Sequence, residues 1–80
     1  MEFNGIRPDA TLDVKGLSCP MPLLKTKNAI AGLGSGQVLE VLGTDPGSKN
    51  DLPSWCSRVG HDFLGTKDEA GFFRFFIKKG

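Results

Sequence analysis

The chain has 80 residues, enough for one domain with a core near the lower limit for unaided folding and too few for two. Ten basic and nine acidic side chains are interspersed for a net charge of +1, which excludes the electrostatic footprint of a dedicated DNA or membrane binder. No apolar run approaches the roughly 20 residues of a membrane span. The opening MEFNGIRPD lacks the charged and apolar regions of a signal peptide, so a cytoplasmic location is the expectation. There Cys19 and Cys56 should be reduced, and with neither CxxC spacing nor enough partners for zinc they predict no metal site and no cofactor.

Residues 1–9 read as a flexible N-terminal arm, with Phe3 and Ile6 out of any period and a proline at its end, and residues 10–80 as a single domain. Ala10 to Lys15 alternates, with Leu12 and Val14 on one face and Thr11, Asp13 and Lys15 on the other, as a half-buried first strand does. Gly16 ends it. A helix follows from Pro20 to about Leu33, in which Leu23, Thr26, Ala29, Ile30 and Leu33 share one stripe and Lys25, Lys27 and Asn28 lie away from it. Met21 and Leu24 are off the stripe, near Cys19. Leu24 either packs against a neighbouring strand or forms, with Met21, an exposed apolar rim for a partner protein.

The stretch LDVKGLSCPMPLLKTKNAIA carries the chemistry. Pro is favoured at the first helical position, directly after the N-cap. That preference puts Cys19 at the cap, Pro20 at the first helical position and Pro22 at the third, where the missing N–H groups have no intrahelical acceptor anyway. The Met21 N–H is then the donor aimed at the sulfur. A free thiol has a pKa of about 8.5, and a helix N-terminus lowers it through the positive end of the dipole. A thiolate or the anionic end of a persulfide would be held there.

Farther along, Gly32-Leu33-Gly34-Ser35-Gly36 has GxG spacing, but it follows a helix where a dinucleotide fingerprint must follow a strand. It reads as a helix stop. Gln37 to Leu42 is a second strand, parallel to the first after a crossover. GTDPG at 43–47 is a turn. Ser48 to Gly60 reads as a second helix capped by Ser48, Asn50 or Asp51, with Leu52, Trp55, Cys56 and Val59 buried. Cys56 is thereby a structural thiol, and His61, at a helix-to-strand junction, reads as solvated or structural rather than as a proton carrier. His61 to Thr66 is a short third strand, KDEAG at 67–71 a hairpin turn, and FFRFFIK at 72–78 the last strand, with Phe73, Phe75 and Ile77 toward the helices.

Right-handed crossovers put both helices on one face of the sheet. The fold class is therefore α+β, a two-layer α/β sandwich with order βαβαββ. Val38, Leu42, Phe72 and Phe76 would make the open face partly apolar, covered by the arm or used in association.

The residues LDVKGLSCPMPLLKTKNAI, with the CPxP core Cys19-Pro20-Met21-Pro22, together with TDPGSKNDLPSWCSRVGHDFL and FRFFIKK, resemble the TusA/SirA-like sulfur carrier family. The resemblance implies a mixed four-stranded sheet of order 1-2-4-3. It also implies that Cys19 accepts sulfane sulfur as a persulfide from a cysteine desulfurase or rhodanese-type donor and passes it to an acceptor protein cysteine. In that family the relay serves tRNA thiolation, cofactor maturation or sulfur oxidation. Ser18 stands here where some carriers have a basic residue. Exchange at sulfur is carrier rather than stand-alone enzyme chemistry, and Leu24, Lys25 and Lys27 are the candidate partner contacts. The competing reading is a noncatalytic regulatory or interaction module using the open sheet face. A redox sensor is weakened by the lack of a nearby resolving cysteine.

Overall fold

A computed structural model describes residues 8–18 and 20–80. What the sequence led us to expect of the arm over residues 1–7, and of Cys19 itself, falls outside the described residues. In chain order the elements are β1 (Ala10–Val14), α1 (Met21–Ala31), β2 (Val38–Gly43), α2 (Ser48–Val59), β3 (Asp62–Glu69) and β4 (Phe72–Lys78). The sheet order is β1-β2-β4-β3, as expected. β1 and β2 are parallel, and β4 runs antiparallel to both β2 and β3.

Strand alternation decides which side chains meet the helices. The register pairs Leu12 with Val41, Val41 with Phe75 and Leu39 with Ile77, so these residues share the inner face. Val14, Leu39, Val41, Phe75 and Ile77 form one buried cluster with Ile30 from α1 and Leu52, Trp55 and Cys56 from α2. A common core of this kind places both helices on the same face. Each large apolar side chain taken fully out of water there contributes about 1.5–3 kcal/mol. Thr26 sits in the α1 stripe with no exposed surface, and its hydroxyl donates to the Pro22 carbonyl at 2.7 Å, which satisfies it inside the core.

The outer face is more polar than the sequence suggested. Val38, Leu42 and Phe72 are half-buried there and Phe76 is fully buried. Glu40, only 7% exposed, accepts from the Thr11 hydroxyl at 3.0 Å and from Arg74 Nε at 2.6 Å. Arg74 also donates to Glu69 at 3.2 Å and lies 5.3 Å from the Phe76 ring.

In the second half of the chain, three features differ from expectation for physical reasons. β3 runs to Glu69 instead of Thr66, because Lys67, Asp68 and Glu69 pair with Arg74, Phe73 and Phe72. The polar run is strand with its charges satisfied, Asp68 by Lys49 at 3.0 Å and Glu69 by Arg74. That leaves a turn of Ala70 and Gly71, with Gly71 at φ +86°, a conformation that glycine adopts freely. Val59 is 52% exposed rather than buried, since α2 ends at that residue and Gly60 turns the chain away at φ +88°. The cap of α2 is Gly47, with no side-chain cap, in place of Ser48, Asn50 or Asp51.

At the other terminus of the described chain, the Asp9 N–H donates to the Val38 carbonyl at 2.8 Å. Asp9 Oδ2 accepts the Val38 N–H at 2.8 Å. Residue 9, expected to belong to the arm, is thus tied to the sheet.

Candidate functional site

The C-terminal ends of the parallel strands and the starts of both helices share one pole of the molecule. The pairing of Gly43 with Phe73 brings the β3–β4 turn to the same pole. Lys15 Nζ lies 5.0 Å from the Phe72 ring and Lys49 Nζ 4.3 Å from the Phe73 ring, so cation–π contacts close that end of the sheet.

β1 leaves through a tied loop. The Lys15 N–H donates to Asp13 Oδ1 at 2.9 Å, the Gly16 N–H to Thr44 Oγ1 at 2.9 Å, and the Leu17 N–H to the Val14 carbonyl at 3.2 Å. Gly16 sits at φ +84°. Leu17 packs against the core. This loop hands the chain through Ser18 to Cys19, whose own placement is outside the described residues.

The start of α1 corrects the expected capping. The N-cap is Pro20, at φ −95° and ψ 9°. Cys19 therefore precedes the cap, and Met21 and Pro22 occupy the first and second helical positions. The Met21 N–H donates to the Ser18 carbonyl at 2.9 Å. This bond closes a turn from Ser18 to Met21 around the non-helical Pro20. The first α-helical bond runs from the Leu24 N–H to the Pro20 carbonyl at 3.1 Å. Pro22 has no N–H, which leaves the Leu23 amide as the donor of this first turn with no partner among the described residues. No acidic side chain lies in the first turn, and no side-chain cap is made. Among the described residues, the first turn of α1 thus supplies no carboxylate of its own to the positive end of the dipole.

Of the other expected site residues, Pro22 is buried. Met21 and Leu24 are 41% and 44% exposed, as an apolar rim would be. Lys25 and Lys27 are exposed as well.

Cys56 is a different kind of thiol. It is 1% exposed within the core cluster, and burial, assisted by the Asp62 carboxylate, pushes its pKa up to about 11. His61 lies at the far end of α2, roughly 18 Å away at the helical rise. Its Nδ1 accepts the Gly80 N–H at 3.0 Å and its ring sits 5.2 Å from that of Trp55. Cys56 thus sits in the core stripe, as expected from the sequence. A groove of about 410 Å³ lined by Pro53, Cys56, Ser57, His61 and Asp62 belongs to this far pole. Among the described residues no cluster of His, Cys, Asp and Glu could hold a metal ion, and no helix is long and apolar enough to cross a membrane.

Comparison with known proteins gives this geometry a lineage. The family model described as sulfurtransferase TusA matches residues 10–79. The chain belongs to the TusA family. YrkI of Bacillus subtilis is 51% identical over 75 residues, 94% of this chain and 100% of its own length. Sulfur carrier protein TusA of Allochromatium vinosum is 44% identical over 71 residues, covering 89% of this chain and 93% of that protein. A crystal structure of a SirA-like protein from Desulfitobacterium hafniense superimposes with a TM-score of 0.72 at 30% identity, over 89% of this chain and 97% of that one. The TusA-family match takes in both helix starts and the loops before them.

One residue of this pole escaped the sequence reading. Thr44 lies in the GTDPG turn, where composition signals only a reversal of the chain. Its bond to Gly16 spans 28 residues, and nothing in a local pattern announces it.

Proposed function

We propose that the chain is a sulfur carrier in which Cys19 bears the transferred sulfur as a persulfide. The observation that carries this reading is the bare start of α1. Its first turn has no acid, no side-chain cap and one amide without a partner among the described residues, and it begins directly after a cysteine in sequence. A helix start so left favours an anion near it, and the anion that the chain supplies there is sulfur.

The transfer is two exchanges at sulfur. The Cys19 thiolate attacks the terminal sulfur of a donor protein persulfide; the bond between that sulfur and the donor cysteine breaks, and the donor leaves as a thiolate. Cys19 then carries the sulfur as an anionic persulfide. An acceptor cysteine thiolate attacks the same terminal sulfur, and Cys19 departs as the leaving thiolate. A lowered pKa serves both steps, raising the thiolate fraction in the first and improving the leaving group in the second. Pro20 and Pro22 stiffen the platform. Exposed Met21 and Leu24, with Lys25 and Lys27, form a surface for the donor, a cysteine desulfurase or rhodanese-type protein, and for the acceptor. The relay would serve tRNA thiolation, cofactor maturation or sulfur oxidation.

Incubation with a cysteine desulfurase and cysteine, followed by intact-mass measurement, tests the proposal. Sulfur atoms should be gained, lost on reduction and absent from Cys19→Ser. No gain with desulfurase and rhodanese donors alike would sink the carrier reading and favour a noncatalytic module. That module is disfavoured by the outer sheet face, where Arg74 donates to both Glu40 and Glu69.

A further inference from the structure

The loop that leads to Cys19 is shaped by local bonds and tied to the β2–α2 loop by a distant one. The Lys15 N–H to Asp13 and the Leu17 N–H to Val14 both close within a few residues of the β1 end. Neither ties the loop to another element. Leu17 meets the core through apolar contact alone, which resists lifting more than sliding. Lys15 Nζ lies over the Phe72 ring of β4 and the Ser18 carbonyl accepts the Met21 N–H of α1, while the Gly16 N–H ties the loop to the β2–α2 loop, donating to Thr44 Oγ1 at 2.9 Å.

The far end of that bond is itself anchored. Asp45, next to Thr44, accepts the Ser48 N–H on its carbonyl at 3.1 Å and the Gly47 N–H on Oδ1 at 3.3 Å, so the β2–α2 loop is braced against the first turn of α2. Gly16 at φ +84° gives the loop the left-handed turn that accompanies the N–H to Thr44 contact.

We propose that Thr44 is a positioning residue for the sulfur: its hydroxyl oxygen holds Gly16, and thereby the loop carrying Cys19, in register with the bare start of α1. This rests on the sulfur-carrier reading. The influence of a helix terminus falls off within about one turn. A loop free to slide relative to α1 would therefore lose part of the field that keeps the sulfur anionic. Thr44 touches no sulfur in this account; it acts through the Gly16 amide.

The test is the pH profile of Cys19 alkylation by iodoacetamide, read at the Cys19 peptide by mass spectrometry so that Cys56 does not contribute. Thr44→Val keeps the side-chain shape and removes the acceptor, and Thr44→Ser restores it. Thr44 is exposed, so the fold should tolerate both. Thr11→Val, which loses the bond to Glu40 on the outer sheet face, serves as a comparator for general loosening. Thr44→Val should move the profile to higher pH and slow alkylation at neutral pH by roughly three- to tenfold, the worth of one hydrogen bond, with Thr44→Ser and Thr11→Val matching the parent protein. A parent-like profile for Thr44→Val, or an equal shift in Thr44→Ser or Thr11→Val, would overturn the role of Thr44 while leaving the carrier reading intact. A parent protein with an ordinary thiol profile that takes up no sulfur would overturn both.

Discussion

Each helix of this fold follows a parallel strand by a short loop, and each is associated with a cysteine and a proline, yet the two are finished in opposite ways. α2 begins with Asp45 bonded to the Gly47 amide and Asp51 in its first turn, so carboxylates face the positive end of its dipole. α1 begins with prolines at its cap and second position, no acid and no side-chain cap. Cys56 is sealed among Leu52, Trp55 and the sheet, whereas Cys19 comes in sequence directly before a start with no acid in its first turn. The difference teaches where a helix is being used for more than packing. A terminus neutralised by its own sequence has no call on a further charge, and one left bare does.

The largest effect that would break this contrast lies with Cys56. With a pKa raised to about 11 in the fold, its thiol stays protonated in the folded chain over a range where the unfolded chain ionises. Ionisation then favours unfolding. The stability associated with the buried thiol is complete below about pH 9 and declines as the pH rises toward 11, by about 2–3 kcal/mol in all. Urea unfolding at pH 8 and at pH 11 should show this loss in the parent protein and a smaller one in Cys56→Ala. Lysines titrate in the same range, so the difference between the two proteins is the quantity that counts. Parallel losses would show that Cys56 is not the inert core thiol drawn here.

Next in size, Cys56→Ser exchanges a weakly polar thiol for a hydroxyl in the core and should cost about 1–3 kcal/mol of stability. Sulfur loading of the folded fraction should remain complete. A loss of loading without unfolding would mean that the two thiols cooperate, and the division of labour between the helices would be wrong.

How much of this was legible beforehand depends on the range of the interaction. The alternation through Leu12 and Val14, the α1 stripe of Thr26, Ala29 and Ile30, and the Leu52, Trp55 and Cys56 spacing are properties of one element at a time, and all appear in the core. The helix caps were not legible. A preference for Pro after the cap does not distinguish Pro20 at the first helical position from Pro20 at the cap, and the choice rests on the turn between Ser18 and Met21. Lys67 to Glu69 looked like a turn because their charges find Lys49 and Arg74 only once the sheet has formed. The Thr44 bond to Gly16 joins two loops, and the periodicity of neither contains it.

The sharpest form of the comparison is an exchange of charge between the two helix starts. Met21→Glu places a carboxylate at the exposed first position of α1, where α2 has its own acid close by. It should raise the pKa of Cys19 and slow its alkylation at neutral pH by about two- to fivefold, while stabilising the fold by a few tenths of a kcal/mol, since an acid at a helix start is favourable in itself. Reactivity and stability would move in opposite directions, which general loosening cannot produce.

Asp51→Asn is the reciprocal change and the smallest effect. It should cost about 0.5 kcal/mol of stability by removing the acid in the first turn of α2, and leave the Cys19 alkylation profile untouched. If Asp51→Asn shifted that profile as strongly as Met21→Glu, the sulfur would be responding to the summed charge of the whole pole. The claim that charge at the first turn of α1 outweighs charge on α2 would then fail, because charge on a neighbouring helix is screened over about 8–10 Å of aqueous surface while charge within the same turn is not.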